Sequence, residues 1–152
     1  MNTHHSIHKT IVILLLSLLV NGAVWAQQQI APQLLHGSWQ FNEALSVNRM
    51  DPDLRERLQG STDLQQFVQT YFSGKRITFL PNGTFVVLLS NGTQFQGQWS
   101  LQGNQLTTQT QGAGQANQMV AMGNANALCL IPEQYADPTI KQLFKEAHYI
   151  KN

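Results

Sequence analysis

The stretch ITFLPNGTFVVLLSNGTQFQGQWSLQGNQL, Ile77 to Leu106, decides the fold, because its turns set the register of a β-meander. From Gln94 to Leu101, Phe95, Gly97, Trp99 and Leu101 alternate with Gln94, Gln96, Gln98 and Ser100. That is the period of a strand with one dry and one wet face. The preceding run, Thr84 to Ser90, is apolar on both parities, so its inner face is chosen by the turns. A two-residue loop at Asn91-Gly92 would pair Leu88 with Phe95 and turn Phe85, Val87 and Leu89 toward the glutamine face. A three-residue loop, Ser90-Asn91-Gly92 with Gly92 left-handed, pairs Leu89 with Thr93 and Val87 with Phe95, joining the apolar faces. Pro81-Asn82-Gly83, treated the same way, pairs Phe79 with Phe85 and Ile77 with Val87. Gly103-Asn104 works as a two-residue loop that sets Leu101 opposite Leu106 and Trp99 opposite Thr108. One face of four consecutive strands then carries Ile77, Phe79, Phe85, Val87, Leu89, Phe95, Trp99, Leu101 and Leu106.

Outward from the meander, Leu34 to Phe41 reads as a first strand. Asp51 to Ser73 changes character: Asp51 caps a helix with Pro52 at its first position, and Leu54 and Leu58 share a face until Gly60 breaks it. Ser61 caps a second helix in which Leu64, Phe67, Val68 and Tyr71 form an apolar stripe. A helical hairpin therefore separates the first two strands. Beyond the meander, Gly112 to Gln118 is a polar loop, and Met119 to Met122 and Ala127 to Ile131 are strands. Asp137 and Pro138 open a helix with Ile140, Leu143, Phe144 and Ala147 at i, i+3, i+4 and i+7. Its stripe is expected to dock outside the sheet on Leu80, Val86 and Leu88. His148 to Lys151 closes the chain as a short strand.

Met1 to Ala26 has the pattern of a cleaved export signal: a mildly basic start, an apolar run from Thr10 to Val20, and Val24-Trp25-Ala26 as the cleavage site. The run is about half the roughly 20 residues that a spanning helix needs, so a membrane anchor is not expected. No cysteine follows it, so there is no lipobox. Residues 27–152 form the mature domain, expected in the periplasm or outside the cell. Removing the leader takes Lys9 out of nine basic residues and none of the eight acidic ones, leaving a neutral chain with no electrostatic footprint for nucleic acid. Cys129 is the only cysteine and lies in the apolar run Ala127 to Ile131, where burial as a small apolar residue is expected.

Leu35-x-Gly37-x-Trp39, Ile77-Thr78-Phe79-x-x-Asn82-Gly83-Thr84-Phe85 and Gly97-x-Trp99-x-Leu101 resemble the small secreted bacterial lipocalin-like domains of the calycin group. The resemblance covers residues 34–151. It implies a mainly β fold: an antiparallel up-and-down barrel of about eight strands, with a helical hairpin after strand 1 and a C-terminal helix packed outside. The hairpin is more like the fatty-acid-binding branch, whose helices lid the barrel. True lipocalins stack an arginine from near the late helix on the first-strand tryptophan. Pro132-Glu133-Gln134 stands in that region here, which leaves Arg76 or Lys151 to cover Trp39.

The resemblance also implies an interior that binds a small apolar molecule, lined by Trp39, Phe41, Ile77, Phe79, Phe85, Val87, Phe95, Gly97, Trp99 and Leu101. A barrel of this size is just wide enough to be filled by its own side chains or to hold one small ligand. Gly97 in mid-strand either leaves space or admits close packing, and both readings stand. A ligand would be neutral or weakly polar, since no charged anchor lies on the inward face, with Thr108 or Thr110 supplying a hydroxyl. If the late helix leaves Leu80, Val86 and Leu88 open, the outer face marks a protein-contact module instead.

Catalysis, cofactors and metals are not expected. His36 and His148 show no neighbouring Cys, His or acidic group at ligand spacing. There is no Gly-x-Ser-x-Gly elbow, and Gly74-Lys75 lacks the rest of a phosphate loop. Glu133 and Asp137 read as helix-start charges.

Overall fold

A computed structural model describes residues 29–133 and 143–152. The leader and residues 134–142, where the late helix is expected to start, lie outside the described residues. The elements run α1 (Pro32–Leu35), β1 (Gly37–Phe41), α2 (Glu43–Asn48), α3 (Pro52–Gly60), α4 (Thr62–Tyr71), β2 (Arg76–Phe79), β3 (Thr84–Leu88), β4 (Gln94–Gln102), β5 (Gln105–Thr110), β6 (Asn117–Gly123), β7 (Ala127–Pro132) and β8 (Ala147–Lys151). Each strand pairs antiparallel with its sequence neighbour, and β8 returns to β1, so the eight strands close an up-and-down barrel.

The meander has the register that its turns dictate. Phe79 opposes Phe85, Ile77 opposes Val87, Val87 opposes Phe95, Leu101 opposes Leu106 and Trp99 opposes Thr108. Gly83 and Gly92 sit at φ +79° and +83°, the left-handed region that the three-residue loops require. Leu89 donates to the carbonyl of Thr93 at 2.9 Å and closes the second loop.

The ends of the barrel are closed differently. At one end Ile30 and Leu35 are buried against Leu106 and Trp39. The Trp39 indole N–H donates to the Leu35 carbonyl at 2.7 Å. Residues 32–35 thus form a short helix rather than the first turn of the strand, because Pro32 favours a helix start and Leu35 fills the barrel end. At the other end the helical hairpin α3–α4 caps the opening. Ser61 accepts from the Leu64 N–H at 3.3 Å as the expected N-cap. Asp51 makes no side-chain cap; its carboxylate is instead paired with Lys145 at 2.8 Å. The short α2, too short to show a helical stripe, is capped by Asn42 accepting from the Leu45 N–H.

Two expectations fail in instructive ways. Leu58 and Val68 reach the core, but Phe67 and Tyr71 of the same α4 stripe stand 45% and 46% exposed. The late helical stripe does not extend through residues 143–147. Phe144 is buried at the helix-capped end against Phe41 and Phe72, and Ala147 already belongs to β8, opposite Leu130. A short apolar run satisfies helical spacing and strand pairing alike, and the non-local partner decides. Leu80 and Leu88 remain more than a third exposed, so the docking expected on them is not seen among the described residues.

Candidate functional site

Three places in the molecule combine side chains with chemistry to offer: the barrel axis, the helix-capped mouth, and a cluster on the outer face of the closing strands.

Along the axis, Trp39, Phe41, Ile77, Phe79 and Phe85 are buried, joined from the other strands by Leu106, Ala121, Leu128, Leu130 and Tyr149. Full burial of such a side chain contributes roughly 1.5–3 kcal/mol. Val87, Gly97, Trp99 and Leu101 share their parity but are only partly buried. Phe95 departs furthest from the expected lining: it has inward parity yet is 43% exposed, because it stands one residue into β4 at the rim. Strand alternation fixes which face a residue takes, not how deep it lies.

Gly97 answers a question that its sequence leaves open. A Cβ there would lie 2.0 Å from the Gln109 carbonyl oxygen and 2.7 Å from the Phe85 ring. The glycine admits close packing and leaves no space. Two half-open concavities, about 570 and 440 Å³, lie beside it on β3–β5; Phe85, Gly97 and Thr110 line the larger together with Val86, Gln96 and Gln109, and Phe95 lines the smaller.

Lys151 seals the α1 end. Its ammonium lies 4.2 Å from the centre of the Trp39 ring, and it also donates to the His36 carbonyl. It is therefore Lys151, not Arg76, that takes the cationic place over the first-strand tryptophan. Gly37 makes room for it: φ is +112°, and a Cβ would stand 3.0 Å from Lys151 Cε. His36 packs edge-on against Trp99 at 5.9 Å, a structural role.

At the other end aromatic rings run from the surface into the core. Phe67 packs on Tyr71 at 4.9 Å and on Phe72 at 6.0 Å; Phe72 packs on Phe41 at 5.5 Å and on Phe144 at 4.8 Å. Lys75 Nζ lies 5.3 Å over the Phe72 ring, so this mouth carries a cation, as the α1 end does in Lys151 over Trp39.

The third place was missed in the sequence. Cys129 and His148 oppose each other across β7–β8, and Met122 opposes Cys129 across β6–β7. Leu128, Leu130 and Tyr149 point inward, so this row faces out. Cys129 Sγ is 4.0 Å from His148 Nε2, and Glu146 Oε2 is 3.1 Å from the same nitrogen. Burial pushes the thiol up to about 11 from an ordinary 9.0; Glu146 adds to the rise and Arg49 opposes it. The spacing of Glu146-x-His148, with Glu146 one residue before β8, is the one local signal available. Cys129 joins it only through the β7–β8 pairing.

No protein-family model and no curated protein matches this chain. Among solved structures the chain is similar to a DUF4847 family protein from Bacteroides vulgatus ATCC 8482, at 18% sequence identity and a TM-score of 0.44, covering 78% of this chain and 93% of that one. At that level nothing is carried over from it. Among the described residues no helix is long and apolar enough to cross a membrane.

Proposed function

We propose that this chain is an exported, non-catalytic lipocalin-like barrel, filled along its axis by its own side chains, that works in the cell envelope through contacts made at its surface. The close packing at Gly97 carries this reading: the space that a side chain would take at this mid-strand glycine is occupied by Phe85 and by the backbone of β5. Supporting it, Trp39 and Leu106 have no exposed surface and Phe79 has 1%. A water-sized void beside them would expose some of that surface, so the axis around them is dry and full. Lys151 over Trp39 supports the lipocalin-like assignment. Against catalysis, Cys129 and Glu146 converge on a single nitrogen of His148. A nucleophile–base–orienter relay uses the two ring nitrogens separately.

The test is a titration of the Trp99→Phe form of residues 27–152, in which Trp39 is the one remaining tryptophan, with a small apolar fluorophore while Trp39 emission is followed. A full barrel leaves Trp39 unchanged at probe concentrations that saturate any surface site. Quenching or a blue shift of Trp39 on binding would mean that the interior opens to ligands.

One observation favours a second reading, in which a small apolar molecule sits at the helix-capped mouth. The column from exposed Phe67 and Tyr71 through Phe72 to buried Phe41 offers apolar contact that reaches inward without entering the axis. A fatty alcohol and the matching fatty acid, compared by calorimetry on the wild-type chain, on Phe67→Ala and on Lys75→Ala, decide it. Binding lost in Phe67→Ala supports a mouth site, and a preference for the acid that disappears in Lys75→Ala assigns Lys75 to its head group. Equal heats in the wild-type and Phe67→Ala chains would remove this reading.

A further inference from the structure

We propose that Cys129, His148 and Glu146 form a binding site for a divalent transition-metal ion of the zinc class on the outer face of the barrel, bridging β7 and β8. The site is independent of what the barrel axis or mouth does.

Convergence is the first ground. One sulfur, one nitrogen and one oxygen donor lie within 4.8 Å of one another, with Sγ–Nε2 at 4.0 Å and Nε2–Oε2 at 3.1 Å. A tetrahedral zinc ion with Zn–S near 2.3 Å and Zn–N near 2.0–2.1 Å holds its donors roughly 3.5 Å apart. The observed separations fall on either side of that value. Sγ and Oε2 both lie close to the same ring nitrogen, Nε2, so a small shift of the three side chains would set them around one ion.

The donor set is the second ground. A thiolate, a carboxylate and a neutral imidazole carry two negative charges, which a dication balances. The sulfur and nitrogen select a borderline metal, since calcium and magnesium take oxygen donors. Three protein ligands leave the fourth tetrahedral position to water or to the thioether of Met122, opposite Cys129 and 44% exposed.

Positioning is the third. The His148 N–H donates to Ser46 Oγ at 3.0 Å, and its carbonyl accepts from the Asn42 N–H at 2.8 Å. Ser46 is 1% exposed, so the anchor on α2 is itself fixed in the core. Cys129 is set by the β6–β7–β8 ladder. The ligand backbone is therefore in place before a metal arrives, which keeps the ordering cost of binding small. Binding replaces the thiol proton by the metal, with the proton released to solvent.

The chain has one cysteine, so a thiolate-to-metal charge-transfer band reports this site alone, whatever the N-terminal histidines His4, His5 and His8 bind. The full metal-free chain, kept reduced with a phosphine, is titrated with Co2+ and then back-titrated with Zn2+. The expected result is one equivalent of cobalt giving a near-ultraviolet sulfur-to-cobalt band that zinc abolishes, and no band in Cys129→Ser. His148→Gln and Glu146→Gln keep the thiol and should each weaken zinc by at least the roughly 10–100-fold that losing even an outer-shell partner costs. Saturating zinc should raise the Tm of the wild-type chain and not that of Cys129→Ser. A wild-type chain with no charge-transfer band overturns the proposal. So does unchanged zinc affinity in both His148→Gln and Glu146→Gln, a result that remains readable if Cys129→Ser does not fold.

Discussion

The meander β2–β5 and the closing strands β6–β8 belong to one barrel but are specified in opposite ways. In the meander each strand is tied to the next by a turn whose residues state their own geometry, with Gly83, Gly92 and Gly103 all at positive φ. A register set by such a turn is local, and an error in one hairpin does not propagate. In the closing strands the decisive pairings, Cys129 with His148 and Trp39 with Lys151, join residues with nothing between them in sequence to announce the contact. Both sets contribute to the packed wall, Phe79 and Phe85 from the meander and Leu128, Leu130 and Tyr149 from the closing strands. Only the non-local pairing brings Cys129 to His148.

The sharpest way to break that contrast is at the packed wall. Phe79→Ala and Trp39→Ala should each cost about 3–5 kcal/mol in urea unfolding, as truncations of fully buried rings. Phe95→Ala, of the same parity but at the rim, should cost far less, and Trp99→Ala should fall between, since its ring is only partly buried. If Phe95 matched Phe79, depth would not be the variable that separates them.

Next in size is Gly97→Ala, which forces a methyl against backbone and should cost about 1–3 kcal/mol by overpacking. Gly92→Ala meets no neighbour within 4 Å and should cost only the left-handed strain, roughly 1–2 kcal/mol. A silent Gly97→Ala would show space in the wall and reopen the interior to ligands.

A smaller effect should separate the closing strands by pH. In the metal-free chain the folded Cys129 holds its proton up to about 11 while the unfolded thiol loses it near 9.0. Its contribution to stability is thus complete below about 9 and declines as the pH rises toward 11. Denaturation midpoints of wild-type and Cys129→Ser chains, followed across that window, should converge. Parallel curves would mean that the thiol is not desolvated. The smallest effect is Gln96→Ala on the wet face, which should stay within about 0.5 kcal/mol.

What the sequence made legible follows the same division. The Phe79–Phe85 and Val87–Phe95 pairs could be read because Pro81-Asn82-Gly83 and Ser90-Asn91-Gly92 dictate them, and the helix pair α3–α4 because Ser61 and Gly60 punctuate it. Lys151 over Trp39 was one of two options that a resemblance left. Phe144 was assigned to a helical stripe, since its true partners, Phe41 and Phe72, lie far away in sequence. Leu35 was placed in a strand because its burial depends on the barrel end that it plugs. The Cys129 cluster is hidden in the sequence for the same reason: Cys129 reaches Glu146 and His148 only through the pairing of β7 with β8.

Closure of the barrel has a consequence for how the chain becomes a barrel at all. Lys151 reaches back to the His36 carbonyl across 115 positions, so the seam between β1 and β8 is the contact with the steepest loop-closure cost. Hairpins such as those of the meander form in microseconds, whereas this seam waits for everything between. Until it forms, the molecule is an open sheet with two bare edges, β1 and β8, offering unpaired backbone to any neighbouring chain. The interval between making the meander and zipping that seam is when aggregation competes with folding, and it ends only when β8 meets β1.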